Sequence, residues 1–279
     1  MISPALVFPD AASLAETLAG EILEGLERSR QAGRRYVLGC PGGRSLRPTY
    51  RALARQARER DVDLRPLIIA MMDEYVLHEV GGYVSAPVEA HFSCRGFAQR
   101  EIVEPLDAAV APPHRLEPGS VWVPSPTDPA AYDMRIADIG GIDLFLLASG
   151  STDGHVAFNA PGAPLDGGTA VVELPESTRA DNLRTFPTFA SLDEVPRHGV
   201  TVGLGTIARH SRRAVLVLHG PEKRMAASRL LATDGVDQAW PASIIHGCRD
   251  GRIYLDEAAA QGSVRPAGPE LQFRQEERT

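Results

Sequence analysis

Short apolar runs alternate with stretches of helical periodicity along most of this chain, and that alternation restricts its fold more than any other feature. Runs at Tyr36 to Leu38, Leu67 to Met71, Leu144 to Leu147, Val200 to Leu204 and Ala214 to Leu218 have the length and composition of buried strands. Ala11, Leu14, Leu18, Ile22 and Leu26 recur at helical spacing behind Asp10, a capping residue, which predicts a helix over roughly residues 11 to 32. A second helix is expected from a Ser45 cap through roughly Glu59, with Pro48 tolerated in its first turn. Others are expected over residues 87 to 101, 128 to 138 and 221 to 232. Strands and helices in alternation make a parallel sheet covered by helices. The expected class is therefore α/β: a Rossmann-like, open, mostly parallel sheet flanked by helices on both faces. Residues 1–262 are read as one such domain. Residues 263–279 mix Pro, Gly and charge without a period and are read as a flexible C-terminal tail.

Composition narrows the function classes. At 279 residues, 43% apolar and 23% charged, the chain can bury one large core. With 29 Lys and Arg against 36 Asp and Glu, the net charge of −7 argues against general nucleic-acid or anionic-membrane binding. An anionic ligand would need local basic residues. Cys40, Cys94 and Cys248 are odd in number, widely spaced and free of C-x-x-C spacing, which opposes a disulfide framework or a zinc site and fits a cytoplasmic setting. No run approaches the ~18 apolar residues of a membrane span, and MISPALVFPD has no basic region ahead of an apolar core.

In open α/β sheets ligands collect outside the carboxyl ends of the strands, and four loops at predicted strand ends carry reactive residues. Pro41-Gly42-Gly43-Arg44-Ser45 follows one strand and opens a helix, so its backbone N–H groups can approach an anion that the helix dipole also favours. A plain tight turn is the alternative; the loop has neither the Gly-Lys-Ser/Thr ending of a nucleotide P-loop nor a G-x-G-x-x-G pattern. Asp73 and Glu74 follow the run ending at Met71, where a carboxylate can move a proton between neighbouring carbons; a turn cap and a solvated charge are the bland reading. Asp153 and His155 stand two apart in a Gly-containing turn, a proton-moving pair or an Asx turn beside a histidine. Arg179, in the polar segment ESTRADN, and Lys223, in HGPEKR, are surface charges singly and together match a phosphate dianion.

Taken in order, VLGCPGGRSLRPTYRAL, MDEYV, DGHVAFNAP, TVGLGTI, the Lys223 segment and VDQAWPASIIH resemble the glucosamine-6-phosphate deaminases (isomerising) and their relatives the 6-phosphogluconolactonases, over roughly residues 8 to 256. Tyr75 and the Val156-Ala157-Phe158-Asn159 turn side with the deaminases. The resemblance implies that Asp73 shuttles a proton between C2 and C1 of an open-chain amino-sugar phosphate. It implies that His155, oriented by Asp153, assists ring opening. It implies that the Pro41–Ser45 loop, through the N–H groups of Gly42 to Ser45, holds the 6-phosphate with Arg179 and Lys223. Arg44, an added charge at that loop, and Glu74, a second acid near Asp73, are read as further substrate-binding residues. No metal or organic cofactor is implied; the partner is a small-molecule sugar phosphate. Oligomers occur in the family, and nothing in the sequence fixes a subunit number.

Departures matter as well. Ala160 stands where the deaminases have a glutamate completing the Asp-His-Glu set, and residues 160 to 178 lack the basic residues with which allosterically activated members hold an effector phosphate. The expected activity is conversion of a 2-amino-2-deoxy-sugar 6-phosphate to a ketose 6-phosphate plus ammonia. Alternatives are a related sugar-phosphate isomerase or dehydratase, a 6-phosphogluconolactonase, or a sensor that binds without turnover.

Overall fold

Successive side chains of a strand leave opposite faces of its sheet, so a strand covered on both faces reads as unbroken apolar sequence. The structure is a computed structural model and describes residues 3–263 and 272–273. In it, Leu144 and Leu146 enter one buried cluster, with Leu18 and Leu53. Phe145 and Leu147 enter the other, with Ile136, Ile207 and Leu230. The sheet separates two cores, as the apolar runs require.

The strands are β1 (Ala5–Phe8), β2 (Tyr36–Cys40), β3 (Leu67–Met71), β4 (Asp73–Glu79), β5 (Gly82–Ser85), β6 (Val121–Trp122), β7 (Leu144–Ala148), β8 (Ala170–Glu173), β9 (His198–Thr201), β10 (Ala214–Leu218), β11 (Gly251–Asp256) and β12 (Gln272–Phe273). Eight of them form the central sheet in the order β12-β1-β11-β10-β7-β2-β3-β6, with parallel pairing throughout. Chain order runs outward from β2 through β3 to β6 and, the other way, from β7 through β10 to β11, with β1 and β12 beyond it. The carboxyl ends of β2 and β7 therefore flank a switch point, where such sheets leave a crevice. The close pairing of these two strands needs Gly39, since a Cβ there would lie 2.2 Å from the Phe145 ring.

Helix α1 (Ala11–Gln31) starts at Asp10, whose carboxylate accepts from the Ser13 N–H at 2.7 Å, and packs beside α2 (Arg47–Arg60) on one face. The remaining helices are α3 (Cys94–Ala98), α4 (Glu104–Ala109), α5 (Pro129–Asp138), α6 (Glu176–Thr185), α7 (Leu204–His210), α8 (Arg224–Ala232) and α9 (Glu257–Ala260). α5, α7 and α8 cover the opposite face.

Four expectations are corrected. A second, antiparallel sheet, β5-β4-β9-β8, has no counterpart in the sequence reading; β4 continues β3 past the single residue Met72 and leaves the parallel sheet. The run Val200 to Leu204 is accordingly not one strand: β9 ends at Thr201 and α7 starts at Leu204. Gly203 makes that break, because a Cβ on it would meet the Gly167 carbonyl at 2.2 Å. The helix expected over residues 87 to 101 begins only at Cys94, where Ser93 Oγ accepts from the Gly96 N–H, and passes through a π-helical turn at Gln99–Val103. Ser45 does not cap α2: Leu46 precedes that helix without a side-chain bond, and the Ser45 carbonyl accepts from His219 Nε2 at 2.9 Å. Of the expected C-terminal tail, 264–271 and 274–279 lie outside the described residues, and Gln272–Phe273 pair with β1 at the sheet edge.

Candidate active site

The crevice at the switch point is a cavity walled by the loop after β2, the start of β4, the turn after β7, Lys223 and one face of α6. Pro41, Gly42, Gly43, Arg44 and Ser45 all line it. Gly43 sits at φ 87°, a left-handed conformation that glycine adopts without strain. Lys223 reaches in from before α8, its ammonium donating to the Ser149 carbonyl at 2.6 Å. Burial pulls its pKa below the ordinary lysine value, the carboxylates of Asp181 and Glu222 push it back, and the nearby Arg44 charge lowers it again. A cation held there, half desolvated and beside a second one, is a place for an anion.

Asp73 and Glu74 are neighbours on β4, and strand geometry sends them to opposite sides. Only Asp73 lines the cavity. It is 6% exposed, and burial raises its carboxyl to about 7 against the opposing hydrogen bond from the Cys94 thiol. Glu74, placed beside the substrate by the sequence reading, instead accepts from the N–H groups of Tyr75, Cys94 and Arg95 and from Ser93 Oγ. Its carboxylate anchors the start of α3 and does not line the cavity.

Asp153 and His155 form the expected pair. Asp153 Oδ1 accepts from His155 Nδ1 at 2.7 Å and from the His155 N–H at 3.1 Å, while Oδ2 accepts from Ser177 Oγ at 2.8 Å. Burial disfavours the Asp153 carboxylate, but the bonds and charge of His155 and the bond from Ser177 outweigh it and hold the group well below the usual range. With Nδ1 so engaged, Nε2 is left for the cavity that His155 lines. The tightness of the turn explains its glycines. A Cβ on Gly150 would fall 2.3 Å from both Asp153 Oδ1 and His155 Nδ1, and one on Gly154 the same distance from the Trp240 ring. Asn159 then closes the turn by donating to the Val156 and Val202 carbonyls. Ala160 lies beyond this closure and lines a separate groove with Pro161 and Gly203, not the cavity.

Arg179 is the other displaced prediction. It lies on α6 and is buried, with its guanidinium donating to the Leu192 and Val195 carbonyls and so tying the following loop to the helix. One residue along a helix turns the side chain by about 100°, and it is Thr178, with Asp181, Asn182 and Thr185, that faces the cavity. Thr178 Oγ1 and Asn182 Nδ2 are buried without a hydrogen-bond partner. The sequence reading missed this face, although 178, 181, 182 and 185 follow the i, i+3, i+4, i+7 spacing of one helix stripe. It also missed Cys94. Among the described residues no cluster of three or more His, Cys, Asp or Glu is arranged to hold a metal ion.

With this geometry the cavity offers a buried carboxylate near neutrality, a carboxylate-oriented imidazole and a basic, N–H-rich end. The family model described as glucosamine-6-phosphate isomerases/6-phosphogluconolactonase matches residues 9–255. A glucosamine-6-phosphate deaminase of Rhodococcus opacus is 36% identical over 245 residues, 88% of this chain and 86% of that protein. One from Shouchella clausii is 34% identical over 234 residues, 84% and 88% of the two chains. Among solved structures, a monomeric glucosamine-6-phosphate deaminase superposes with a TM-score of 0.77 at 25% identity, covering 93% of this chain and 99% of that one. A 6-phosphogluconolactonase from Trypanosoma cruzi shares the fold at 18% identity and a TM-score of 0.66, covering 94% and 98%. On the span of the family model and the extent of these identities, the chain belongs to the glucosamine-6-phosphate isomerase/6-phosphogluconolactonase family.

Proposed function

We propose that the protein converts glucosamine-6-phosphate, or a close 2-amino-2-deoxy-sugar 6-phosphate, to the ketose 6-phosphate and ammonia, acting in the cytoplasm on this small-molecule partner. The observation that carries the reading is that Asp73, from the start of β4, and His155, held by Asp153 in the turn after β7, line one cavity together with Lys223 and the Gly42–Ser45 loop.

The 6-phosphate would bind the N–H groups of that loop with Lys223 and Arg44. Arg179 has no part in this arrangement. His155 Nε2 relays the proton between the anomeric hydroxyl and the ring oxygen, and Asp153 stabilises the imidazolium that forms. In the open chain, Asp73 removes the C2 hydrogen while the C1 carbonyl oxygen takes up a proton given up by the substrate's C2 ammonium, forming an enolamine; Asp73 then returns its proton to C1, and the nitrogen lone pair closes the iminium at C2. Water adds to C2 and ammonia departs, leaving the ketose. A carboxyl near 7 suits both halves of the shuttle, because it gives and takes a proton at neutral pH with little driving-force penalty. Thr178 and Asn182, whose buried polar atoms have no protein hydrogen-bond partner, are assigned to the sugar hydroxyls.

Incubation of the purified protein with glucosamine-6-phosphate tests this: ammonia and fructose-6-phosphate should appear in equal amounts. Ala160 favours a second reading, isomerisation of a neutral sugar phosphate that needs no such acid. Substrate-induced thermal stabilisation without ammonia would favour that reading over the first.

A further inference from the structure

We propose that Cys94 is a positioning residue for the general base, its thiol fixing one oxygen of Asp73 and supporting the ionised form. The inference rests on the reading of Asp73 as the base. Cys94 is the first residue of α3 and is 4% exposed. It meets both carboxylates of β4 at once: its N–H donates to Glu74 Oε1 at 2.8 Å, and its Sγ–H donates to Asp73 Oδ1 at 3.2 Å. Glu74, by anchoring the start of α3 through three donors, thus sets where the thiol stands.

Every other group around Asp73 leaves this bond as its support. Glu74 and Tyr75 come from its own strand, Tyr50 from α2, Tyr132 from α5 and His155 from the turn after β7. The Tyr50 and Tyr132 hydroxyls donate to the carbonyls of Pro41 and Met71. His155 contributes charge without a bond, and Glu74 a charge of the wrong sign. Among the described residues the thiol is the one hydrogen-bond donor to the Asp73 carboxylate.

Burial, with the neighbouring Asp73 and Glu74 charges, raises the Cys94 thiol well above its ordinary value. It therefore remains S–H, a donor, and not a thiolate nucleophile. A buried cysteine can be a small apolar filler, and Sγ does lie under the glycine loop, 3.8 Å from where a Gly42 Cβ would be. Alanine would fill much of that space. What it cannot supply is the proton on Oδ1, which pins the carboxylate so that Oδ2 remains for the substrate.

The test is the pH profile of kcat/KM for glucosamine-6-phosphate in the wild type, Cys94→Ala and Cys94→Ser, with ¹³C-carboxyl NMR following Asp73 directly. Cys94→Ala should move the acid limb and the Asp73 titration upward by about half to one pH unit, the worth of one hydrogen bond. Cys94→Ser, which keeps a donor, should return both to the wild-type position or below. A Cys94→Ala protein whose Asp73 titrates as in the wild type, or a serine variant indistinguishable from the alanine one, overturns the proposal, whatever happens to its Tm. Wild type inert toward glucosamine-6-phosphate would overturn the functional reading instead, and the NMR titration would still decide whether the thiol supports the carboxylate.

Discussion

Replacing Asp73 by Asn should abolish most turnover while making the protein relatively more stable as pH rises. Burial lifts the Asp73 carboxyl from 3.8 to about 7. Between those values the unfolded chain has lost the proton and the native chain still binds it. The native state then holds more protons, so wild-type stability falls as pH climbs through this window and levels off above about 7. At about 1.4 kcal/mol per pH unit, the full effect has a ceiling of about 4 kcal/mol, of which about 2–3 kcal/mol falls between pH 5 and pH 8. Asparagine does not titrate. Any loss from fitting an amide beside Cys94 is the same at both pH values and cancels in the comparison. Urea denaturation at pH 5 and pH 8 should show the free-energy gap between Asp73→Asn and wild type shifting toward the variant by up to about 2–3 kcal/mol. Turnover should drop by about 10²–10⁴-fold, the range for loss of a general base. A gap constant to within about 0.5 kcal/mol would mean that Asp73 is not a desolvated carboxyl, and the argument for a neutral-pH proton shuttle would fail with it.

Other substitutions separate the roles assigned to neighbouring residues. Glu74→Ala should destabilise the fold by about 3 kcal/mol or more in urea titrations, since it strands three donors at the start of α3 and the Tyr75 N–H on its own strand; a loss below about 1 kcal/mol would contradict the anchoring role. Lys223→Met keeps the aliphatic stem and removes the charge, so KM for a phosphorylated substrate should rise by about tenfold or more with a smaller change in kcat, and an unchanged KM would place the phosphate elsewhere. Thr178→Val deletes a buried hydroxyl that has no protein hydrogen-bond partner, so Tm should hold or rise while KM increases about fivefold. A fall in Tm with KM intact would make that hydroxyl structural.

The contrast between Glu74 and Asp73 shows what one sequence can and cannot convey. Both are acids at the end of an apolar run, and strand alternation dictates that only one can face a given side. Which side is the cavity depends on the chain leaving the parallel sheet after Met71 to build a second one, and no local pattern announces that exit. The strands themselves were legible because burial on both faces writes them as continuous apolar runs; Leu67 to Met71 and Ala214 to Leu218 match β3 and β10 to the residue. The glycine loop and the DGH turn were legible for a similar reason: their signals are local, glycines directly ahead of a helix and a side-chain pair two residues apart.

Helix α6 fails that criterion from the other direction. Its residues carry no apolar stripe, because one face meets the cavity and Arg179 on another is taken up by carbonyls of the following loop. A helix of this kind is read as a polar segment, and the arginine within it as a free cation. What identifies it is long-range: Ser177 bonds Asp153 at one end, and at the other Phe186 packs edge-on to Tyr75 with ring centroids 6.0 Å apart. The helix is thus seated on the turn that carries Asp153 and His155 and on the strand that carries Asp73, and its polar stripe takes its position from both. Ser177→Ala tests that coupling. It removes one of the bonds holding Asp153, and kcat should fall several-fold with Tm nearly unchanged, because the serine is exposed and the loss is local. An unaltered kcat would show that the turn orients His155 by itself and that α6 contributes only the wall.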